Sequence, residues 1–155
     1  MRKKGVFMLG QSILRSRSAI RLLFFSIMIF SPFVVQANVI AERKANFKAN
    51  AAAIKAINAA LGGGDFDTVI TQAKTIADWA RVMPNYFPEN SDSGDTKARA
   101  DIWMDFDGFR NRASANEQAA LTLISTAQTG DVLATIGALK ALGGTCKSCH
   151  DNFKD

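Results

Sequence analysis

A chain of 155 residues, 48% of them hydrophobic, is long enough for one domain of ordinary size and too apolar to be disordered. Two cysteines are too few for a disulfide scaffold, and three prolines with eleven glycines exclude a collagen-like polymer. The formal net charge of +5 would suit a nucleic-acid binder only if the positive charge lay in the folded part.

It does not. Residues 1–37 carry Arg2, Lys3, Lys4, Arg15, Arg17 and Arg21 without one acidic residue, and the almost wholly apolar stretch 22–35 follows. Val35-Gln36-Ala37 then places small residues where a signal peptidase inspects the chain. This order predicts an export signal cleaved after Ala37. A retained membrane anchor would need about 20 uninterrupted apolar residues, and Ser31 and Pro32 break the stretch early. Without the leader, 13 basic residues face 14 acidic ones, a net charge near −1. The case for nucleic-acid binding leaves with the leader.

From residue 38 the apolar residues recur at helical period. Ile40, Phe47, Ile54 and Leu61 stripe a first helix that Gly62-Gly63-Gly64 stops. Asp65 or Asp67 can cap a second, striped by Phe66, Val69, Ile70, Ala73, Ile76, Ala80 and Met83 and closed by Pro84. Residues 84–95, with two prolines, a glycine and several capping residues, read as a long loop. A third helix is predicted over 101–129, with Ile102, Phe106, Phe109, Ala113, Ala120, Ile124 and Ala127 on one side. Gly130 ends it, and Asp131 caps a fourth that carries Val132, Ile136, Leu139, Cys146, Cys149 and Phe153 as its stripe. Four amphipathic helices with two short connections and one long one predict an all-α antiparallel four-helix bundle. Trp79, Trp103, Phe106 and Phe109 fall on these stripes and read as core.

The chemistry is concentrated in Cys146-Lys147-Ser148-Cys149-His150, which holds both cysteines and the single histidine. Two thiols three residues apart on a helix point to one side and can bond neighbouring vinyl groups of a haem, while His150 reaches the iron from the same turn. Gly143 and Gly144 reduce side-chain bulk just upstream. A structural zinc site would want four ligands. A thioredoxin-like dithiol belongs beside a strand–helix unit, which this chain lacks. A disulfide closing so small a ring would stabilise little.

With this motif at the C-terminal end of a predicted four-helix bundle, the chain resembles cytochrome c′, the class II cytochromes c, over nearly all of residues 38–155. The closest stretches are Asp101-Ile102-Trp103-Met104-Asp105 and Cys146 through Lys154, the latter like CxxCHxxF/Y followed by a basic residue. The spacing of Arg43 and Phe47 also matches. The resemblance implies one covalent haem c on Cys146 and Cys149, with His150 as axial ligand. It implies Arg43 beside a haem propionate, Phe47 over the distal face and Lys154 near the proximal face. A methionine at the Phe47 position would complete six-coordinate iron; a bulky apolar residue leaves the sixth position empty. The resemblance therefore implies a periplasmic, five-coordinate high-spin cytochrome that binds nitric oxide or carbon monoxide and exchanges electrons with a redox partner protein. A low-spin electron carrier is the alternative. Met83 and Met104, the two methionines after the leader, read as packing rather than ligands. The resemblance also implies a homodimer through the first two helices. Ala45, Ala49, Ala52 and Ala56 suit that arrangement and equally suit a solvated face. No acid–base pair or nucleophilic triad is visible, so the reading is of a non-enzyme.

Overall fold

The computed structural model describes residues 32–155, with side-chain surroundings from residue 38; residues 1–31 of the predicted leader lie outside them. α1 spans Pro32–Gly63, and its alanine-rich sequence has the highest intrinsic helix propensity. Gly64, at φ 71°, stops it in the left-handed region that a side chain would strain. Of the two candidate caps, Asp65 is used: its carboxylate accepts from the Thr68 amide at 3.0 Å and the Thr68 hydroxyl at 2.6 Å. α2, Phe66–Val82, follows. Pro84, lacking an N–H, takes the chain out of α2 into a single 3₁₀ turn at Met83–Tyr86. Residues 87–100 contain no regular helix.

The helix expected over 101–129 is broken. α3, Asp101–Met104, is one turn, and α4, Phe106–Gln128, starts afresh. The cause is Asp105, which leaves helical geometry at φ −131° and ψ 63° and accepts from the Gly108 amide at 2.9 Å. A side chain at position 108 would overlap that carboxylate, with Asp105 Cγ only 2.6 Å from a Cβ placed there. α5, Val132–Phe153, begins as expected from Asp131, whose carboxylate accepts from the Ala134 amide at 2.9 Å.

α1 packs on α2, α2 on α4 and α4 on α5, an up-and-down bundle; α1 and α5 scarcely approach each other. Its core has two layers. Ala53, Ile57, Val69, Ala73, Ile76, Ala120, Leu123 and Leu142 fill the end near the two tight turns. Trp79, Met83, Phe87, Ile102, Phe109 and Phe153 fill the end near the loop.

The expected stripe of α5 holds over its second half but not its start: Phe153 is buried and Leu139 and Cys149 pack against the core, whereas Val132 and Ile136 are exposed and Thr135, Ala138 and Leu142 are buried. Thr135 can be buried because its hydroxyl donates to the Asp131 carbonyl at 2.6 Å, so the helix satisfies it. Met104, read as packing, is 76% exposed and lies outside the core, whereas Met83 is 5% exposed within it. Met104 sits in the single turn α3, which offers only Ile102 to the interior.

The Asp105–Gly108 contact makes a sign-reversing prediction. Gly108→Ala should destabilise the protein, because loss of the cap, worth up to about 2 kcal/mol, together with the overlap on Asp105 outweighs the up to ~1 kcal/mol that alanine gains over glycine in a helix. In an Asp105→Ala background the same change should stabilise, because alanine is then simply the better helix former. Thermal unfolding of the four variants checks this; additive effects would contradict it.

Candidate functional site

Because α5 stays helical through Phe153, Cys146, Cys149 and His150 share one flank at spacings of three and four residues. Both cysteines are free and half-buried, and Cys149 packs against the aromatic layer. His150 stands further out, at the surface. Side chains built at Gly143 or Gly144 would meet nothing within 4 Å, so the flank just before the cysteines is open.

α4 holds this segment from behind through two residues that sequence reasoning missed. Asn116 Nδ2 donates to Thr145 Oγ1 at 2.8 Å and to Cys146 Sγ at 3.5 Å. Arg112 Nη1 donates to Ser148 Oγ at 2.7 Å. The only sequence signal was a polar pair four residues apart on a helix, which ordinarily marks a solvated face.

Burial raises the Cys146 thiol pKa, partly offset by the hydrogen bonds from Asn116 and Thr145. Burial and neighbouring Cys146 push the Cys149 thiol up to about 11, against the opposing charge of Arg112. Both sulfurs are thus protonated at neutral pH, unlike the low-pKa nucleophile of a redox dithiol. His150 moves the other way: partial burial and then Lys154 lower its proton affinity, with Asp151 opposing. Its imidazole is neutral at pH 7, with a lone pair available for a metal. Among the described residues, no group of three or more His, Cys, Asp or Glu side chains could hold a metal ion.

Arg43 and Phe47 lie one turn apart on α1. Phe47 is 36% exposed and meets Trp79 edge-on at 5.5 Å and Phe87 at 6.5 Å. Arg43 is 2% exposed. Its Nη1 donates to Ser91 Oγ at 2.9 Å and to the Tyr86 carbonyl at 3.4 Å. Its Nη2 donates to the Ser91 carbonyl at 2.7 Å and to Thr96 Oγ1 at 2.6 Å. The guanidinium also lies 4.5 Å from the centre of the Phe87 ring. Lys154 is exposed at the end of α5, its amide donating to the His150 carbonyl at 3.2 Å and its backbone bridged to Ala98.

These residues form two groups at the aromatic end of the bundle, one on α1 with the loop and one on α5. A run of ring contacts joins them: Phe87 to Phe109 at 4.8 Å and Phe109 to Phe153 at 5.4 Å. Two buried polar atoms near Phe47 have no hydrogen-bond partner among the described residues: Trp79 Nε1 and Asn50 Oδ1. Such orphans each cost about 1–3 kcal/mol unless something satisfies them. Sparse backbone contact between α1 and α5, aromatic walls, a Cys-x-x-Cys-His flank and unsatisfied polar groups together fit a large planar cofactor with a polar margin. The residues present therefore suit a haem.

A sequence profile described as Cytochrome C′ matches residues 38–154. A cytochrome c′ of Rhodopseudomonas palustris is 38% identical over 128 residues, covering 78% of this chain and 84% of that one. Another, from Rhodospirillum rubrum, is 46% identical over 83 residues, covering 53% of this chain and only 56% of that relative. The solved structure of cytochrome c′ from Shewanella frigidimarina superposes with a TM-score of 0.70 at 31% identity, covering 77% of this chain and 96% of its own. Fold, motif position and sequence agree, and the chain belongs to the cytochrome c′ family of haem-bearing c-type cytochromes.

Proposed function

We propose that the protein is an exported, periplasmic monohaem cytochrome whose iron is held by His150 alone and left open under Phe47, so that it binds nitric oxide or carbon monoxide and exchanges electrons. The observation that carries this reading is the surroundings of Phe47. The ring sits between Trp79 and Phe87, and its chain neighbours Asn46 and Lys48 offer no thioether. When bound, haem supplies an iron centre able to take a diatomic ligand or change by one electron.

The protein's own residues do the rest. Cys146 and Cys149 would hold the porphyrin through thioethers; α4 steadies that segment through Asn116 on Cys146 and Arg112 on the intervening Ser148. His150 presents a neutral imidazole, kept so by partial burial and by Lys154. Phe47, Trp79 and Phe87 line the distal side mainly with aromatic hydrocarbon, so a small apolar gas meets little desolvation cost there. Arg43 has both terminal nitrogens committed to the loop, so what it offers a propionate is positive charge. The leader 1–37 directs export and is removed after Ala37. Among the described residues no helix is long and apolar enough to cross a membrane. A cytochrome c′ with a TM-score of 0.71 to this chain is described as undergoing ligand-controlled dimer dissociation. The exposed Ala45, Ala49 and Ala52 on α1 would suit a comparable homodimer here.

Reduced protein carrying haem should show a high-spin absorption spectrum that shifts on adding carbon monoxide. A low-spin spectrum indifferent to the gas would contradict the reading in favour of a pure electron carrier. Phe47→Met should convert the protein toward that low-spin, gas-indifferent form; an unchanged spectrum would show that this side chain does not cover the iron. The double change Cys146→Ser with Cys149→Ser should leave haem extractable by acidified acetone, whereas in the parent it stays on the polypeptide. Retention in the double variant would contradict the thioether assignment.

A further inference from the structure

Arg43 is a buried cation with an unusual set of partners. It is 2% exposed, yet its hydrogen bonds reach only neutral acceptors; Asp92 favours its charged form only from beyond ion-pair distance, and burial outweighs that help. Burying a guanidinium without a carboxylate in direct contact is costly, so the arrangement persists only if the surroundings hold it firmly. They do so over a long reach: Arg43 on α1 joins Tyr86, Ser91 and Thr96, more than 40 residues along the chain. Ser91, itself fully buried, passes the tether on by donating from Oγ to the Pro88 carbonyl at 2.8 Å. Thr96 Oγ1 also accepts from the Ala98 amide at 3.1 Å. The loop is thus pinned at both flanks of Phe87, whose ring lies under the guanidinium and is 5% exposed.

Phe87 and Trp79 are also the rings that hem in Phe47. Phe47 rests on both rings with part of its surface open, so how firmly Phe87 and Trp79 are held governs how readily it leaves them. Trp79 belongs to α2 and further packs on Tyr86 at 5.0 Å, so the loop is the softer wall. We propose that Arg43 is a latch on the distal cover: by fixing the 86–96 loop it holds Phe87 against Phe47 and sets how fast a diatomic ligand gains access. This rests on Phe47 being the distal cover. It makes Arg43 a positioning residue whose principal contacts are with the polypeptide.

The test uses the full exported chain carrying haem, with Ser91→Ala, Thr96→Val, their combination, Arg43→Lys and, as the conservative control, Thr96→Ser. Two readouts are taken: amide hydrogen exchange across residues 86–98 and the carbon monoxide association rate after flash photolysis. Thr96→Val should speed both, the association rate by roughly tenfold, as expected for losing one charge-assisted hydrogen bond that favours the closed state. Thr96→Ser should restore parental values, and the ferric spin state should be the same in the Ser91 and Thr96 variants. Faster exchange with an unchanged association rate would reduce Arg43 to a structural tie and overturn the proposal, as would unchanged exchange. If the parent itself does not bind carbon monoxide, the reading of Phe47 fails and the latch with it; if the parent binds and the variants match it, only the latch fails. Should Arg43→Lys not fold, Ser91→Ala and Thr96→Val leave the arginine in place and still decide the matter.

Discussion

Ring-against-ring packing at the loop end of the bundle is the constraint on which the site depends. Trp79 from α2, Phe87 from the loop, Phe109 from α4 and Phe153 from α5 meet there, with Phe47 of α1 on the margin. Such pairs contribute about 0.5–1.5 kcal/mol each beyond the area they bury. They also fix direction, because edge-on contacts hold rings at set angles. Without them α1 and α5, which scarcely touch, would have little to set their separation at the end where Cys149 and Phe47 stand. The layer at the other end, of alanine and aliphatic side chains, brings helices close and carries no chemistry.

The separation of these two layers explains how rigidity and openness coexist. Ile57, Leu123 and Leu142 are fully buried and lock the bundle near its tight turns. At the far end the polypeptide leaves polar atoms of Trp79 and Asn50 unsatisfied and part of Phe47 uncovered. A domain that tolerates such defects in one place commonly does so because a ligand completes it. The thiols and the imidazole suit the same picture: burial raises the proton affinity of both cysteines and lowers that of His150, which favours a free lone pair on the ring.

Much of this was legible in the sequence because it rests on local chemistry. Asp65 and Asp131 cap helices with their side chains, Gly64 and Gly130 stop them at positive φ, and Cys146, Cys149 and His150 fall into register once the segment is helical. What escaped depends on choices among similar residues or on partners far along the chain. Asp105 looked like one more polar residue in a helix, and only its fold-back onto Gly108 breaks the helix there. The start of α5 departs from its apolar stripe because Thr135, polar by type, is satisfied by its own helix while Val132 and Ile136 face outward. Arg112 and Asn116 carry no distinguishing signal in the sequence, because their bonds to Ser148, Thr145 and Cys146 exist only once α4 and α5 are side by side. Arg43 could be placed near the site by spacing, but its engagement with Ser91 and Thr96 is set by a loop with no periodicity to read.

On the proposed reading the iron would have one protein ligand, His150, with the aromatic side chains around Phe47 covering its other side. Met83, the buried methionine, is held in the aromatic core by its place in the turn after α2, and Met104 faces solvent. Electron paramagnetic resonance of the ferric, haem-loaded protein tests the coordination directly. An axial high-spin signal is expected. A rhombic low-spin signal would contradict the open position, and would require a sixth ligand from a side chain this structure places elsewhere.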